Sequence, residues 1–91
     1  MTKILKFNNA ILNLDNLDVI QKFGKYYENG KYYENIYNYD LYFTTCLVQV
    51  ALTEEEFQYL TEFLKSDFKF HEINKDINSL FDNNKSIHNM I

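Results

Sequence analysis

The sequence predicts an α+β fold: a small antiparallel β-meander of four to five strands with a central Tyr-rich hairpin, followed by two C-terminal helices packed on one face. Three observations lead to this prediction. Residues 24–35 contain the hexapeptide Gly-Lys-Tyr-Tyr-Glu-Asn twice in succession, with Asn-Gly at the junction. Before residue 53, polar and apolar residues tend to alternate with a period of two, as in strands. After residue 53, the apolar residues recur with helical spacing.

The first two strands are short and are joined by a tight turn. Alternation predicts strands at Lys3–Phe7 and Ala10–Leu14. Between them, Asn8-Asn9 tolerates the left-handed conformation that a tight turn often needs. Asp15-Asn16 predicts a second turn or a bulge before the long hairpin begins.

The doubled hexapeptide predicts a long β-hairpin with arms Leu17–Glu28 and Lys31–Phe43. Asn29-Gly30 favours a two-residue type I′ turn, because that turn requires positive φ at both central positions. Folding the repeat about this turn brings together only aromatic pairs and opposite charges, each worth about 0.2–1 kcal/mol. The predicted pairs are Glu28 with Lys31, Tyr27 with Tyr32, Tyr26 with Tyr33, and Lys25 with Glu34.

The second arm of the hairpin has one face that we expect to pack on the core. By the period-two rule that face carries Tyr33, Tyr37, Tyr39, Leu41 and Phe43. The opposite face carries Glu34, Ile36, Asn38, Asp40 and Tyr42. After a weak break at Thr44-Thr45, the apolar run Leu47–Leu52 predicts a strand near the centre of the sheet.

A helix is predicted over Glu54–Lys65. Thr53 and Glu56 form a capping box, and three consecutive glutamates suit the positive end of the helix dipole. An apolar stripe follows at helical spacing, made of Phe57, Leu60, Phe63 and Leu64.

Two further elements are expected after this helix. Phe68 and Phe70 alternate with charged neighbours and predict a last short strand or an extended link. A second helical stripe follows, made of Ile73, Ile77, Leu80 and Phe81, with an end near Asp82-Asn83-Asn84. We therefore expect one domain over residues 1–84 and a frayed tail over residues 85–91.

Composition bounds the class of protein. A chain of 91 residues has room for one modest core, and 46% apolar and 18% aromatic residues are typical of a folded domain. A net charge of −4 and the absence of arginine give no general attraction to nucleic acid. A single cysteine, Cys46, and the absence of a long apolar run predict a cytoplasmic protein without a membrane span.

No pattern of catalytic residues is present, so we expect a protein that is not an enzyme and uses no cofactor or metal. His71 and His88 lie far apart with one cysteine in the chain, which does not match metal-ligand spacing. We expect His71 at a surface or an edge and Cys46 as a buried, inert thiol. The glutamate run Glu54–Glu56 is explained by helix capping, and both glycines belong to the hairpin repeat.

The tyrosines predict a contact surface. Seven of the eight lie between Tyr26 and Tyr42, and adjacent tyrosines in a strand face opposite sides. Unless both faces of the hairpin are covered, one pair stands in solvent, where tyrosine is a favoured contact residue. Alternatively, the second pair packs under a helix or only stabilises the strands. The predicted binding residues are Tyr26, Tyr27, Glu28, Lys31, Tyr32, Tyr33, Glu34, Tyr37 and Asp40.

Size, acidity and composition together indicate a class of protein. The favoured residues Asn, Lys, Ile, Tyr and Phe use AT-rich codons, which suggests a bacterial or phage origin. In this general character the chain resembles small phage or mobile-element proteins that disarm host defence, such as anti-CRISPR inhibitors. The resemblance implies a viral inhibitor in the host cytoplasm that docks on a nucleic-acid-handling defence complex. In such an inhibitor, the acidic residues that imitate phosphates would be Glu28, Glu34, Asp40 and the run Glu54–Glu56.

Two other functions remain open from the sequence. The exposed hairpin of one copy could pair with another copy in a homodimer, because tyrosine faces and strand edges invite association. A single-stranded nucleic-acid binder could stack bases on Tyr27 and Tyr32. We rank this function lower, because the lysines of the hairpin are offset by acids: Lys22, Lys25 and Lys31 against Glu28, Glu34 and Asp40.

Overall fold

The computed structural model describes residues 2–79 and shows two β-sheets and, within those residues, one α-helix. The strands are β1 (Ile4–Phe7), β2 (Ala10–Asn13), β3 (Leu17–Glu28), β4 (Lys31–Phe43), β5 (Leu47–Thr53), β6 (Phe70–Glu72) and β7 (Asn78–Ser79). The helix α1 (Glu54–Lys65) directly follows β5, and a 3-10 turn at Leu14–Asn16 separates β2 from β3. The first sheet has the order β2-β1-β6, and the second has the order β3-β4-β5-β7.

Most local elements match the sequence predictions. The two arms of the hairpin and the helix have the predicted bounds, and β1, β2 and β5 differ from prediction by one residue at one end. The capping box is present: Glu56 N–H donates to Thr53 Oγ1 at 3.0 Å, and Thr53 N–H donates to Glu56 Oε1 at 2.9 Å. Strand β5 lies inside the second sheet, between β4 and β7, as expected.

The predicted fold class is wrong in its second helix. Ile73 and Ile77 are buried, but they lie in irregular chain between β6 and β7. Their N–H groups donate to the β1–β2 hairpin: Ile73 to the Lys6 carbonyl oxygen at 2.8 Å, and Ile77 to Asn9 Oδ1 at 2.9 Å. A spacing of four residues places two side chains on one side of extended chain as well as of a helix, so it did not discriminate between them. Leu80 and Phe81 lie outside the described residues, as do the predicted boundary at 84 and the tail.

The predicted single meander is also wrong. Strand β1 does not pair with the long hairpin; it pairs antiparallel with β2 and parallel with β6, where Leu5 lies opposite His71. The 3-10 turn redirects the chain before β3, so the short N-terminal hairpin joins β6 in a sheet separate from the long hairpin. Over residues 2–79 the protein is therefore mostly β, with a helix against one face of the second sheet rather than the predicted pair of helices.

The core lies between the two sheets and α1. From the second sheet, alternate residues of β4 and β5 point inward, and Tyr39 stacks on Phe57 of α1 with ring centroids 4.3 Å apart. From the first sheet, Leu5 and Phe7 are almost fully buried. The remaining buried apolar residues are Leu14, Leu41, Val48, Val50, Leu52, Leu60, Phe63, Ile73 and Ile77.

One lysine ties the start of the chain to the end of α1. Lys3 Nζ donates to the carbonyl oxygens of Phe63 at 3.1 Å, Ser66 at 2.6 Å and Phe68 at 2.6 Å. These carbonyls lie at or just beyond the C-terminus of the helix, where backbone acceptors lack helical partners and a cation is favoured. The same ammonium lies 4.7 Å from the centre of the Phe63 ring.

Candidate interaction surface

The tip of the β3–β4 hairpin has the predicted type of turn. Asn29 has φ of 53° and Gly30 has φ of 83°, so both central residues adopt the left-handed backbone that a type I′ turn requires. The register next to the turn is also as predicted, with Glu28 opposite Lys31 and Tyr27 opposite Tyr32. The turn therefore places a tyrosine pair at a defined position at the end of the paired strands β3 and β4.

The hairpin carries two tyrosine pairs of unequal exposure. Tyr27 and Tyr32 are 56% and 65% exposed, and their rings meet edge to face with centroids 4.8 Å apart. Tyr26 and Tyr33 are half-buried, with ring centroids 5.7 Å apart. The prediction that one pair stands in solvent is confirmed, and the exposed pair is Tyr27 with Tyr32.

A bulge in β4 changes which side of the sheet its residues occupy, beginning after the cross-strand pairs Glu28–Lys31 and Tyr27–Tyr32. Asn35 has φ of 68°, and the register jumps from Tyr27–Tyr32 to Lys25–Tyr37. The predicted pairing of Lys25 with Glu34 is therefore wrong. Because the extra residues reverse the alternation, Tyr33 lies with Tyr26, away from the core face that Tyr37 and Tyr39 share. The local signal for this bulge was the second Asn of the repeat, a residue that tolerates positive φ.

The charged groups at the hairpin divide between its faces. Tyr26 donates its hydroxyl to Glu28 Oε1 at 2.9 Å, and this bond, with some burial and the charge of Glu28, raises the pKa of Tyr26 above its usual range. Lys31 Nζ lies 5.3 Å from the Tyr33 ring centre. On the other face, Lys22 Nζ lies 3.8 Å above the half-buried ring of Tyr37.

Only part of the predicted acidic surface is exposed. Asp40 is 6% exposed, and it accepts a hydrogen bond from Gln49 Nε2 at 3.0 Å, so it is not presented to a partner. Glu56 is used by the capping box and lies 3.1 Å from Lys75 Nζ. The acids that do face solvent are Glu28, Glu34, Glu54 and Glu55. The structure thus removes Asp40 from the predicted contact residues on grounds of burial.

A second exposed aromatic surface was not predicted. Tyr59 of α1, Phe68 and Phe70 are 53%, 73% and 56% exposed, and they line one open cleft of about 380 Å³. His71 lies beside them on the edge strand β6, as predicted for an edge residue, and stacks on Phe63 with centroids 5.1 Å apart. The available signal was that Tyr59 falls outside the apolar stripe of its helix.

The remaining candidates for chemistry show no assembled site. Cys46 is half-buried rather than buried, and His88 lies outside the described residues. Within residues 2–79, no group of three or more His, Cys, Asp or Glu side chains is placed to hold a metal ion. In the same stretch, no helix has both the length and the apolar character needed to cross a membrane.

Comparison with known proteins adds no relative: no protein-family model, no curated protein and no solved structure matches the chain. The hairpin geometry is therefore the basis for the functional argument.

Proposed function

We propose that this protein is a non-catalytic recognition module that docks on a protein partner through the tip of its β3–β4 hairpin. The observation that carries the proposal is the Tyr27–Tyr32 pair, which is more than half exposed while its rings pack against each other. Tyrosine combines a large apolar ring with a polar hydroxyl, and it is enriched at the energetic centres of interfaces.

The backbone beneath the pair supports this use. The type I′ turn and the flanking Glu28–Lys31 pair hold both rings on paired strands, so little conformational freedom is lost when a partner binds. Tyrosine also has few side-chain torsions to immobilise. A preorganised aromatic pair at the end of a ribbon can enter a cavity or groove of a larger protein.

The net charge of the chain suggests the nature of the partner. Glu28 and Glu34 are exposed on the hairpin, and the chain has a net charge of −4. Lys25 and Lys31 are exposed beside these acids, so the tip itself carries no net charge. A partner surface with positive potential would instead be attracted by the negative charge of the chain as a whole. In line with the resemblance to small anti-defence proteins, we propose a phage-encoded inhibitor whose partner is a basic, nucleic-acid-handling complex of host defence in the host cytoplasm.

A capture experiment with matched variants tests the proposal. The tagged full chain, the double variant Tyr27→Ala/Tyr32→Ala and the control Tyr59→Ala are incubated with lysates of candidate bacterial hosts, and bound proteins are quantified by mass spectrometry. Tyr59 is a tyrosine of similar exposure on α1, far along the chain from the hairpin. The purified partner is then titrated calorimetrically with each variant.

We expect the double variant to bind the partner at least about 30-fold more weakly, because an interface hot spot contributes about 2 kcal/mol or more. The control should bind within about threefold of the wild type. A partner that binds wild type and double variant equally would refute docking through the hairpin tip.

Single-stranded nucleic acid is a second candidate, and one structural observation favours it. Lys22 and Lys25 pair with core-face residues of β4, and Tyr27 lies on the same side of β3 two residues after Lys25. Glu28 is bonded to Tyr26 on the other side, and Asp40 is buried, so these acids offset the lysines less than the sequence indicated. Titration of labelled oligonucleotides at low salt distinguishes the two functions, since docking on a protein alone requires no such binding.

Self-association is a third candidate, because the long strand β3 forms an edge of the second sheet. Light scattering at high protein concentration tests it directly. A mass that stays monomeric across the concentration range would remove the homodimer, and it would leave the proposed docking on another protein unaffected.

A further inference from the structure

A polar cleft lies on the outer face of the second sheet, the face turned away from α1. Its volume is about 240 Å³, and it is lined chiefly by one tyrosine ring, three side-chain amides and one carboxylate. These groups belong to Tyr26, Asn38, Gln49, Asp76 and Asn78. Neither the proposed docking through Tyr27 and Tyr32 nor the core explains why so many hydrogen-bonding groups line one cleft.

The sheet register explains how the cleft forms. Asn38 lies in the middle strand between Gly24 of β3 and Ala51 of β5, so its two cross-strand neighbours are small. One row away, Gln49 lies opposite Asn78 of β7. Small residues beside Asn38 leave room above the sheet, and the neighbouring polar side chains border that room.

The buried carboxylate of Asp40 orients one of these groups. Asp40 lies beneath the same face and accepts from Gln49 Nε2 at 3.0 Å. Because a carboxylate oxygen accepts this bond, it holds the NH₂ end of the Gln49 amide and directs the carbonyl oxygen elsewhere. A nearly buried acid that positions a half-buried amide is typical of a built site rather than of an ordinary solvated face.

The lining selects the chemistry of a ligand. Among residues 2–79, no lysine or histidine lines the cleft, and its one charged group is Asp76, so an anion would find no cation of this part of the chain to pair with. The amides of Asn38 and Gln49 each donate one N–H within the protein, to the Lys25 carbonyl at 3.5 Å and to Asp40 at 3.0 Å. Each keeps a second N–H and its carbonyl oxygen, and the carboxylate offers acceptors, which suits neighbouring hydroxyl groups. The ring of Tyr26 offers an apolar surface at the side of these polar groups.

From these observations we infer that the cleft binds a single neutral, polyhydroxylated ring, that is, one monosaccharide unit. Its hydroxyls bond to Asn38, Gln49, Asp76 and Asn78, and its apolar face packs against Tyr26. The volume lies below the range of about 300–1,000 Å³ that is usual for drug-sized ligands, which favours one ring over an extended oligosaccharide.

The test is an NMR titration of the isotopically labelled full chain. The probes are methyl glycosides of glucose, galactose and mannose, together with N-acetylglucosamine, each raised to roughly 50 mM, a range that reports dissociation constants near 1–10 mM. Cyclohexanol is the control ring, because it has a similar apolar body but a single hydroxyl. We expect saturable shifts of the backbone amides of Asn38, Gln49, Ala51 and Asn78 with at least one sugar and none with cyclohexanol.

Three variants locate the binding. Asn38→Ala and Asn78→Ala each remove an amide from the cleft, and each should weaken sugar binding at least about tenfold, as expected when a hydroxyl loses its partner. Gln21→Ala is the matched control, since Gln21 pairs with Asp40 from β3 and does not line the cleft. Retained dispersion of the amide spectrum shows that each variant folds, and Asn78 lies in the two-residue strand β7, where truncation is least disruptive.

Three results would overturn the inference: no saturable shift with any of the four sugars, equal shifts with cyclohexanol, or folded Asn38→Ala and Asn78→Ala proteins that bind like the wild type. None of them bears on docking through the hairpin tip, because that function is tested with Tyr27 and Tyr32.

Discussion

The two glycines of the chain allow a sharp test of the hairpin. Gly30 has φ of 83°, and a β-carbon added to it would meet no atom within 4 Å. Gly24 in β3 has the same open space around it, but its φ lies outside the left-handed region. Because an added β-carbon meets open space at both positions, backbone strain is the main difference that we expect between the two valine substitutions.

The expected effects have opposite signs. Gly30→Val forces a β-branched residue into the left-handed region and should lower the free energy of unfolding by about 1–2 kcal/mol. Gly24→Val places a good strand former in a strand and reduces the freedom of the unfolded chain, so it should be neutral or stabilising by up to about 1 kcal/mol. In a domain of this size, a loss of about 1–2 kcal/mol lowers Tm by roughly 4–16 °C.

Urea unfolding followed by circular dichroism provides the measurement. The midpoint should move while the slope stays constant, which assigns the change to stability rather than to a different unfolded state. If Gly30→Val melts like the wild type, the backbone at residue 30 is not left-handed. If both valine variants are destabilised equally, side-chain crowding rather than φ governs the two positions. Either result would refute the reasoning.

Three further predictions concern the helix and the core. Lys3→Met should lower the free energy of unfolding, measured in urea, by about 1–2 kcal/mol, because it removes a half-buried ammonium that bonds three carbonyls at the end of α1. Lys69→Met removes an exposed lysine and is the control. An equally small loss of stability in the two variants would contradict this prediction. Thr53→Ala should cost about 1 kcal/mol by thermal melting through loss of the N-cap, whereas Thr53→Ser should stay close to the wild type. Burial, followed by the charges of neighbouring Glu54 and Tyr37, raises the pKa of Tyr39, so above about pH 10 the unfolded chain loses this proton first. Wild-type stability should therefore fall more steeply than that of Tyr39→Phe as pH rises past that value, and parallel pH profiles would argue against it.

The hairpin was predictable because its signals are local. Asn29-Gly30 specifies a turn through the φ values of two residues. The tyrosine pairs next to the turn follow from matching the residues of the two strands one by one outward from it. Assigning residues to sheet faces by simple alternation fails at Asn35. There a positive φ and a shift of register exchange the two faces for all the residues that follow. A single sequence shows that Asn tolerates such a φ, but the pairing of β4 with β5 decides that it adopts one.

The exposed tyrosine pair was predictable as a pair but not by its face. Two adjacent tyrosines in each arm guarantee one pair on each side. Tyr26 is half-buried, lines the outer cleft and packs against Tyr33, whereas Tyr27 and Tyr32 are more than half exposed. This difference in exposure depends on where α1 and the segment around Asp76 come to lie, and the sequence of the hairpin contains no signal for that.

The sequence by itself determined the elements whose cause lies within a few residues: the type I′ turn, the capping box at Thr53 and the alternation of the strands. The tertiary structure alone decided that β1 pairs with β6, that Ile73 and Ile77 enter the core without a helix, and that Asp40 is buried beneath Gln49. The physical reason is the range of the interactions. Turns and caps satisfy backbone groups locally, whereas strand partners and buried residues are chosen by competition among distant segments for the same hydrogen bonds and the same apolar core.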